Sequence, residues 1–410
     1  MKKYKISRRD FLKANALGVT GTMIGAPLLT SASAGTYEPM KITEPFHGAV
    51  LNRRNGKESD NSLKIRVSGV APIKSEVRVN GKPAQRNGSN YFCEVPIHEK
   101  ENEITAVSNG ILGSQHHSVR VLWDRYSKPR YQFAIDDCNH FLYDIVKNKY
   151  KSLFDSPFLS MLKEWNSKYD ARFQLNLFYA MESSGRNYGD GSEKSGFDLS
   201  KFPDRYKKEW EDNSDWLTLA FHALDESPAR PYEYASGSKI LADFDKITEQ
   251  IHRFAGEPSY KLPTNVHYGM VSTEALKALS GRGVKCLGGQ FAKNDIGEWQ
   301  VHYMKDYEQS EYLSRHEALM DYKTGIIFSK MDYIPESTPL EEVIPLFESL
   351  AANPDTSEIM DICTHERAYW PGHRLYITDI IQRTDTALRW LTEHGYKPVL
   401  LNEGFLGGRV

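Results

Sequence analysis

Residues 131–140 carry the clearest chemical signal in the chain, because strand-forming residues run directly into the adjacent carboxylates of Asp136 and Asp137. Neighbouring side chains of a strand point to opposite faces, so two adjacent acids share one site only where the strand ends and the chain turns. The carboxyl ends of strands are where α/β barrels and open α/β sheets place their active sites. On its own, the stretch is equally consistent with a solvated Asp-Asp turn.

Polar and aromatic residues lie at or just after the ends of four further predicted strands. They are His222, Asp225 and Glu226; His267 and Tyr268; His365 and Glu366; and Asn402 and Glu403. A carboxylate with imidazoles and open positions is a binding set for a divalent transition metal such as zinc. Bound metal lowers the pKa of water and polarises a carbonyl, and a nearby carboxylate can take the proton of that water. Each residue alone has a structural explanation, whereas their convergence on one edge favours a site.

The elements that position these residues are predicted from an alternation of strands and helices in residues 130–410. Strands are predicted at 131–137, 173–180, 216–222, 265–268, 283–287, 359–364 and 398–401. Helical spacing lies between most of them, which is typical of a parallel sheet. About seven such units in ~280 residues predict an irregular, seven-stranded (β/α) barrel.

Residues 40–125 show a different pattern, in which short alternating runs are separated by Asn-Gly turns. The runs lie at 63–67, 76–79, 91–95, 102–107 and 118–122. This pattern is typical of a small all-β sandwich. The segments Val-Asn-Gly-Lys-Pro and Glu-Asn-Glu-Ile-Thr resemble those of immunoglobulin-like modules in secreted bacterial carbohydrate enzymes. We expect this domain to support or position the barrel.

Residues 1–34 have the features of a targeting segment. The stretch Ser-Arg-Arg-Asp-Phe-Leu-Lys at 7–13 resembles the bacterial twin-arginine export motif. A moderately apolar stretch follows, and Ser-Ala-Ser-Ala at 31–34 offers a cleavage site of small residues. The apolar run is too short and too rich in glycine to span a membrane well. We therefore expect an exported, periplasmic or secreted protein without stable membrane insertion.

The composition restricts the partners. A formal charge of -2 argues against nucleic acid, which requires a basic patch. The 12% of aromatic residues fits surfaces that stack on sugar rings as well as large aromatic cores. Cys138 and Cys363 both border the predicted mouth, and they form either a disulfide or two buried free thiols. The sequence does not indicate an oligomeric state.

In motif order, residues 130–405 resemble the NodB-type polysaccharide deacetylases of carbohydrate esterase family four. The Phe-Ala-Ile-Asp-Asp stretch is similar to the first motif of that family, which implies that Asp136 is the catalytic base and Asp137 a metal ligand. Phe-His at 221–222 resembles the start of the family's His-x-x-x-His motif, so His222 is implied as a ligand. His365 matches the last motif and is implied as the general acid.

The chain departs from this family pattern at the second histidine of the His-x-x-x-His motif, which is Glu226 here. We expect Glu226, or its neighbour Asp225, to complete the metal site, and His267 is the alternative ligand. If His267 is not a metal ligand, we expect His267 and Tyr268 to bind substrate. Glu366 is a candidate second acid.

Further substrate-binding candidates lie at the predicted mouth. They are Trp370 and Glu403, with Tyr232 and Tyr369 as additional stacking candidates.

Together, these features predict an exported, metal-dependent carbohydrate deacetylase that removes N- or O-acetyl groups from a polysaccharide or oligosaccharide, with zinc as the metal. One alternative is a glycoside hydrolase on the same barrel, which would use Asp136 with Glu366 or Glu403 as its carboxylate pair. Another is a non-catalytic glycan-binding protein. Dependence on metal separates the first two, and turnover separates both from the third.

Overall fold

The computed structural model describes residues 39–111, 113–180, 196–293, 297, 303 and 305–408. The predicted targeting segment at 1–34 lies outside these residues. Within the described ranges, no helix has both the length and the apolar character that crossing a membrane requires.

The first part of the described chain forms two five-stranded sheets. Their strands are β1 (Lys41–Glu44), β2 (Val50–Leu51), β3 (Gly56–Ser59), β4 (Ser62–Val70), β5 (Glu76–Val79), β6 (Lys82–Pro83), β7 (Gln85–Asn87), β8 (Asn90–Ile97), β9 (Glu101–Gly110) and β10 (Gly113–Trp123). The first sheet has the order β1-β4-β8-β7 with β3 beside β4, and the second has the order β2-β10-β9-β5-β6. Alternate side chains of β4, β8 and β9 are buried, as the period of two predicts.

The remaining chain has a mixed α/β fold built on a parallel sheet. That sheet contains β11 (Arg130–Cys138), β12 (Phe173–Phe178), β13 (Leu217–Ala223), β17 (Ile359–His365) and β18 (Lys397–Pro398). The order is β13-β12-β11-β17, and β18 pairs with the start of β11. A smaller sheet contains β14 (Cys286–Gly289), β15 (Ala318–Asp321) and β16 (Ile326–Lys330). In it, β16 is parallel to β14 and antiparallel to β15.

Helices connect these strands. In the described part of the chain they are α1 (His140–Asn148), α2 (Pro157–Tyr169), α3 (Lys207–Glu211), α4 (Gly237–Phe254), α5 (Thr273–Gly281), α6 (Tyr307–Leu313), α7 (Leu340–Ala352) and α8 (Ile380–Glu393). Helix α4 shows why they form: Ile240, Phe244, Ile247 and Ile251 recur at spacings of three and four residues and are all buried. The Ser236 side chain caps its first turn by accepting from the Lys239 N–H.

Irregular segments join the two sheets of the α/β region through backbone hydrogen bonds. On one side, Lys261 donates to the carbonyl of Leu219 in β13 at 2.9 Å, and Gly288 donates to that of Thr264 at 2.6 Å. The strand predicted at 265–268 is instead a 3₁₀ turn, His267–Gly269, because Tyr268 has a left-handed φ of 63°. This turn brings His267 towards the ends of the parallel strands.

The β region is fixed to the α/β region by buried polar contacts. Arg130, at the start of β11, forms an ion pair of 2.5 Å with Asp124, and both side chains are almost fully buried. Its Nε also donates to the carbonyl of Leu406 at 2.8 Å. At the edge of the smaller sheet, Met320 donates to the carbonyl of Gly48. A Cβ on Gly48 would lie 2.2 Å from the Met320 carbonyl oxygen, so this close approach requires glycine.

Candidate metal centre and active site

Strand β11 continues through both predicted acids instead of ending before them. Asp137 has a left-handed φ of 58°, and the register of β11 against β12 shifts between Ile135 and Cys138. Such a bulge breaks the alternation of side chains. Asp136 Oδ1 therefore lies 4.0 Å from Nδ1 of His222, while Asp137 Oδ1 lies 3.2 Å from Nε2 of the same ring. Both carboxylates face one site, as expected, but a bulge rather than a strand end brings them there.

Three buried ligand atoms form a nearly equilateral triangle. Asp137 Oδ1 lies 3.2 Å from His222 Nε2 and 3.3 Å from His267 Nδ1, and the two nitrogens are 3.2 Å apart. Donors at 2.0–2.1 Å from a tetrahedral zinc ion would be separated by roughly 3.3 Å. The triangle therefore has the dimensions of one face of a zinc site.

Both histidine rings turn their second nitrogen towards a backbone carbonyl. His222 Nδ1 lies 3.3 Å from the carbonyl oxygen of Asn265, and His267 Nε2 lies 3.3 Å from that of Glu226. In neutral rings, these contacts place the N–H on the outer nitrogen and leave a lone pair directed at the triangle. With the rings in this tautomer, three acceptors face one another around the buried Asp137 Oδ1, an arrangement that a cation stabilises. The residues fit a divalent metal.

The electrostatics keep Asp137 ionised. Burial opposes its ionisation, but hydrogen bonding from His222 and His267, in the tautomer with an inward N–H, and the positive charge of Arg367 hold the pKa of this carboxyl well below its usual value. Arg367 Nη1 lies 2.6 Å from Asp137 Oδ2. An anionic oxygen is therefore available to a metal.

The geometry corrects the expected third ligand from Glu226 to His267. Glu226 lies beyond the end of β13, where the chain has left the strand, and its backbone carbonyl rather than its side chain faces His267. Its carboxylate instead lies 3.7 Å from Arg367 Nη1. His267, the alternative ligand, occupies the third corner of the triangle.

Asp136 is held beside the triangle by three side-chain donors. Asn176 Nδ2 donates to Oδ1 at 2.7 Å, Asn265 Nδ2 approaches Oδ2 at 3.2 Å, and the Cys363 thiol approaches Oδ2 at 3.4 Å. These contacts fix the carboxylate next to the candidate metal site. Cys363 and Cys138 are free, buried thiols, so the disulfide alternative is not adopted.

His365 lies at the end of β17, directly opposite Asp136 in the strand register. Its Nδ1 is 2.9 Å from Glu336 Oε1, and its backbone N–H donates to the same oxygen at 2.6 Å. Burial works against protonation, but the hydrogen bond to Glu336 and the negative charges of Asp137 and Glu336 together raise the pKa of His365 above its usual value. The ring is 31% exposed, so a supported imidazole reaches the mouth.

Glu366 does not reach the mouth, which corrects its expected role as a catalytic acid. Its Oε2 accepts from the N–H groups of Asn139 and His140 at 2.9 and 3.1 Å, and its Oε1 accepts from Phe141 N–H at 2.7 Å and Trp370 Nε1 at 2.8 Å. It thus satisfies the orphan donors at the start of α1. Burial raises the pKa of Glu366 to about 7. Its role here is to support the turn that carries the site.

Glu403 is placed far from the other candidates. Its carboxylate pairs with Arg172 at 3.1 Å and with Lys261 at 3.5 Å. Arg172 precedes the first residue of β12, whereas Asn176, which contacts Asp136, lies four residues along the strand, roughly 13 Å away. Glu403 therefore belongs to the amino end of the sheet. The Asp136–Glu403 pair suggested for a glycoside hydrolase is therefore not assembled, and Glu366 is committed to the start of α1.

The aromatic residues predicted to bind substrate differ in their exposure to solvent. Tyr232 and Tyr369 are buried, and Trp370 is partly buried with its indole N–H bound to Glu366. Tyr268 is 48% exposed, and its ring centroid lies 4.5 Å from that of His267. Among the four candidates, Tyr268 has the face best placed for a sugar ring.

Four site residues were not found from the sequence. Asn176 and Asn265 lie on predicted strands, where an amide that binds Asp136 cannot be distinguished from any other buried amide. Glu336 lies in the irregular segment between β16 and α7, which carried no motif. Arg367 had one usable signal, its position two residues after His365.

No protein-family model matches this chain, and no curated protein resembles it at a significant level. Solved structures give distant similarities. A family 4 acetyl xylan esterase from Clostridium thermocellum, in complex with a cobalt ion, is 12% identical with a TM-score of 0.33 and covers 67% of this chain and 89% of its own. The peptidoglycan deacetylase PdaC from Bacillus subtilis is 11% identical with a TM-score of 0.27, covering 67% and 87%.

A third similarity is to a CE4 family pseudoenzyme from Bacillus anthracis, which is 10% identical with a TM-score of 0.31 and covers 72% of this chain and 81% of its own. All these TM-scores are too low to carry an argument about fold or function. The case for this chain therefore depends on its own site.

Metal content tests the ligand set. Wild-type protein loaded with zinc and dialysed should retain about one ion per chain, and His267→Ala and His222→Ala should retain almost none, because each removes one of three donors. Glu226→Gln is the matched control, since it leaves the backbone carbonyl on His267 in place and should keep the ion. Elemental analysis of the dialysed proteins measures this. If His267→Ala retained zinc and Glu226→Gln lost it, Glu226 rather than His267 would be the third ligand.

Proposed function

We propose that this chain is a metal-dependent carbohydrate deacetylase that hydrolyses N- or O-acetyl groups on a glycan. The observation that carries the proposal is the triangle of Asp137, His222 and His267, with edges of 3.2–3.3 Å. Two imidazoles and one carboxylate favour zinc among the divalent ions. Asp136 and His365 flank this triangle.

The environment of each residue indicates its role in the reaction. A divalent ion held by Asp137, His222 and His267 would supply polarisation of the acetyl carbonyl and a lower pKa for water. Asp136 accepts the proton of the water that attacks the carbonyl carbon. His365 then donates a proton to the leaving nitrogen or oxygen as its bond to that carbon breaks. The products are acetate and a free amine or alcohol.

Substrate binding is expected at the exposed face of Tyr268. This ring borders His267 and is the candidate aromatic with the largest exposed fraction, 48%. Aromatic faces stack on the apolar faces of sugar rings, so Tyr268 is suited to hold a glycan with its acetyl group near the triangle.

We also infer the domain organisation and the export that the sequence predicts. The two sheets at 39–124 form an immunoglobulin-like supporting module, and residues 130–410 form an irregular barrel in which segments near 259–264 and 331–333 take the place of regular strands. Two backbone hydrogen bonds support this closure: Gly288 N–H donates to the carbonyl of Thr264, and Cys363 N–H in β17 donates to the carbonyl of Tyr333. Residues 1–34 are an export signal, and the mature protein is periplasmic or secreted.

Acetate release from glycans with N-linked or O-linked acetyl groups tests the proposed function. Wild-type protein should release acetate from at least one class, and Asp136→Asn should lower kcat by about 10²–10⁴-fold because it removes the proton acceptor. Asp212→Asn, at the exposed position directly after α3, is the matched control and should retain wild-type turnover. Wild-type activity in Asp136→Asn would refute the assignment of the base.

The pH dependence of kcat tests the pair of His365 and Glu336. His365 must be protonated to act as the acid, so activity falls as pH rises through its pKa. Glu336 raises that pKa; Glu336→Gln should therefore move the alkaline limb to lower pH. Glu341→Gln, an exposed change on α7, should leave the profile in place. An unchanged alkaline limb in the kcat profile of Glu336→Gln would show that Glu336 does not control the pKa of the general acid.

Export is tested by the double substitution Arg8→Lys with Arg9→Lys. Both side chains stay positive, so a requirement for the arginine pair itself is isolated from a requirement for charge. Cell fractionation should find wild-type protein outside the cytoplasm, with a mature amino terminus near Gly35, and should find the double variant retained inside. Equal export of the two proteins would exclude the twin-arginine route.

A further inference from the structure

Arg367 contacts the ligand carboxylate through the oxygen that does not face the histidines. Its Nη1 lies 2.6 Å from Asp137 Oδ2, whereas Oδ1 lies 3.2 Å from His222 and 3.3 Å from His267. The two oxygens of one buried carboxylate are thus committed to different partners. Only Oδ1 is directed at the candidate metal position.

A second carboxylate lies near the Arg367 guanidinium. Glu226 Oε1 lies 3.7 Å from the same Nη1, and the backbone carbonyl of Glu226 orients His267. On the backbone side, Arg367 belongs to the 3₁₀ turn Glu366–Tyr369, which is anchored because Glu366 binds the start of α1. The contact with Asp137 is therefore part of a supported arrangement and not a lone surface ion pair.

A carboxylate can bind a metal through one oxygen or through both. With Oδ2 engaged by a guanidinium, Asp137 offers one oxygen, and the triangle supplies three protein donors in total. Catalytic zinc sites keep a position open beyond three protein ligands, whereas closed sites with four are structural. If Oδ2 were released, a small rotation of the carboxylate would bring it to the open position.

We propose that Arg367 is a positioning residue that restricts Asp137 to a single coordinating oxygen and thereby keeps a metal position open for water or the acetyl carbonyl. The proposal rests on the metal site of the proposed function. Arg367 is not among the bases, acids and ligands expected from the sequence.

Whether loss of Arg367 strengthens or weakens metal binding distinguishes this role from a purely structural one. Removing Arg367 deletes a positive charge beside the site and frees a second ligand oxygen, and both changes favour a cation. A residue that only orients the ligand would have the opposite effect, since loss of such a support typically weakens metal binding by about 10–100-fold.

Cobalt(II) is the probe for the experiment, because its visible absorption weakens as the coordination number increases. Wild-type protein, Arg367→Ala and the control Arg374→Ala are each titrated with Co²⁺. Arg374→Ala also removes a positive charge near His373 but leaves the contact with Asp137 Oδ2 intact. Spectra, dissociation constants, apoprotein melting temperatures and kcat for acetate release are recorded for each.

We expect Arg367→Ala to bind Co²⁺ at least as tightly as wild type, to show weaker visible absorption as a further oxygen coordinates, and to lose turnover. Arg374→Ala should keep the wild-type spectrum. If Arg367→Ala does not fold, Glu226→Gln loosens the same guanidinium and should show a smaller fall in absorption.

An unchanged spectrum in Arg367→Ala, or weaker Co²⁺ binding, would overturn the role assigned to Arg367. Failure of the proposed function would look different, because wild-type protein itself would then bind no Co²⁺ or release no acetate. The two failures are thus distinguished within one set of measurements.

Discussion

Three ligand atoms that face one another at 3.2–3.3 Å in a buried position are the constraint on which the site depends. When both imidazoles point their N–H groups outward, they offer only lone pairs inward, and the grouping is then unfavourable unless a cation lies among them. Three separate features bring the atoms together: the bulge at Asp137, the end of β13 at His222, and the left-handed turn that follows His267. Each feature is local, but they act at one point.

The surroundings of the triangle determine what chemistry it can support. Asp136 is fixed by amides and a thiol, and His365 is supported by Glu336, so a proton acceptor and a proton donor flank the same position. Asn265 links two parts of this arrangement, since its side chain binds Asp136 while its carbonyl orients His222. Asn265 therefore ties the position of the base to that of a ligand.

Sequence alone predicted much of the framework, for physical reasons that can be stated. Strand periodicity and chemically active residues at strand ends located Asp136, Asp137, His222 and His365, because buried parallel strands give long apolar runs that stop visibly. It also predicted the strand-helix alternation and the separate β region. The bulge was not visible in the sequence, since a strand that continues through two acids has the same composition as one that stops before them.

The errors have a common cause. Spacing along the chain selected Glu226, four residues after His222, but β13 ends at Ala223 and the following backbone turns a carbonyl instead of a side chain to the site. Glu366 was chosen for its adjacency to His365, although it serves the start of a helix distant in sequence. Arg367 and Glu336 act through tertiary contacts that no local pattern encodes.

The central claim is that this site works through a bound divalent ion, and titration of metal-free protein with zinc tests it most directly. Acetate release from a responsive glycan would be followed as zinc is added to protein stripped with chelator. The account predicts negligible release at the start and a rise that levels off at about one zinc per chain. Full activity in the stripped protein before any zinc is added would contradict it.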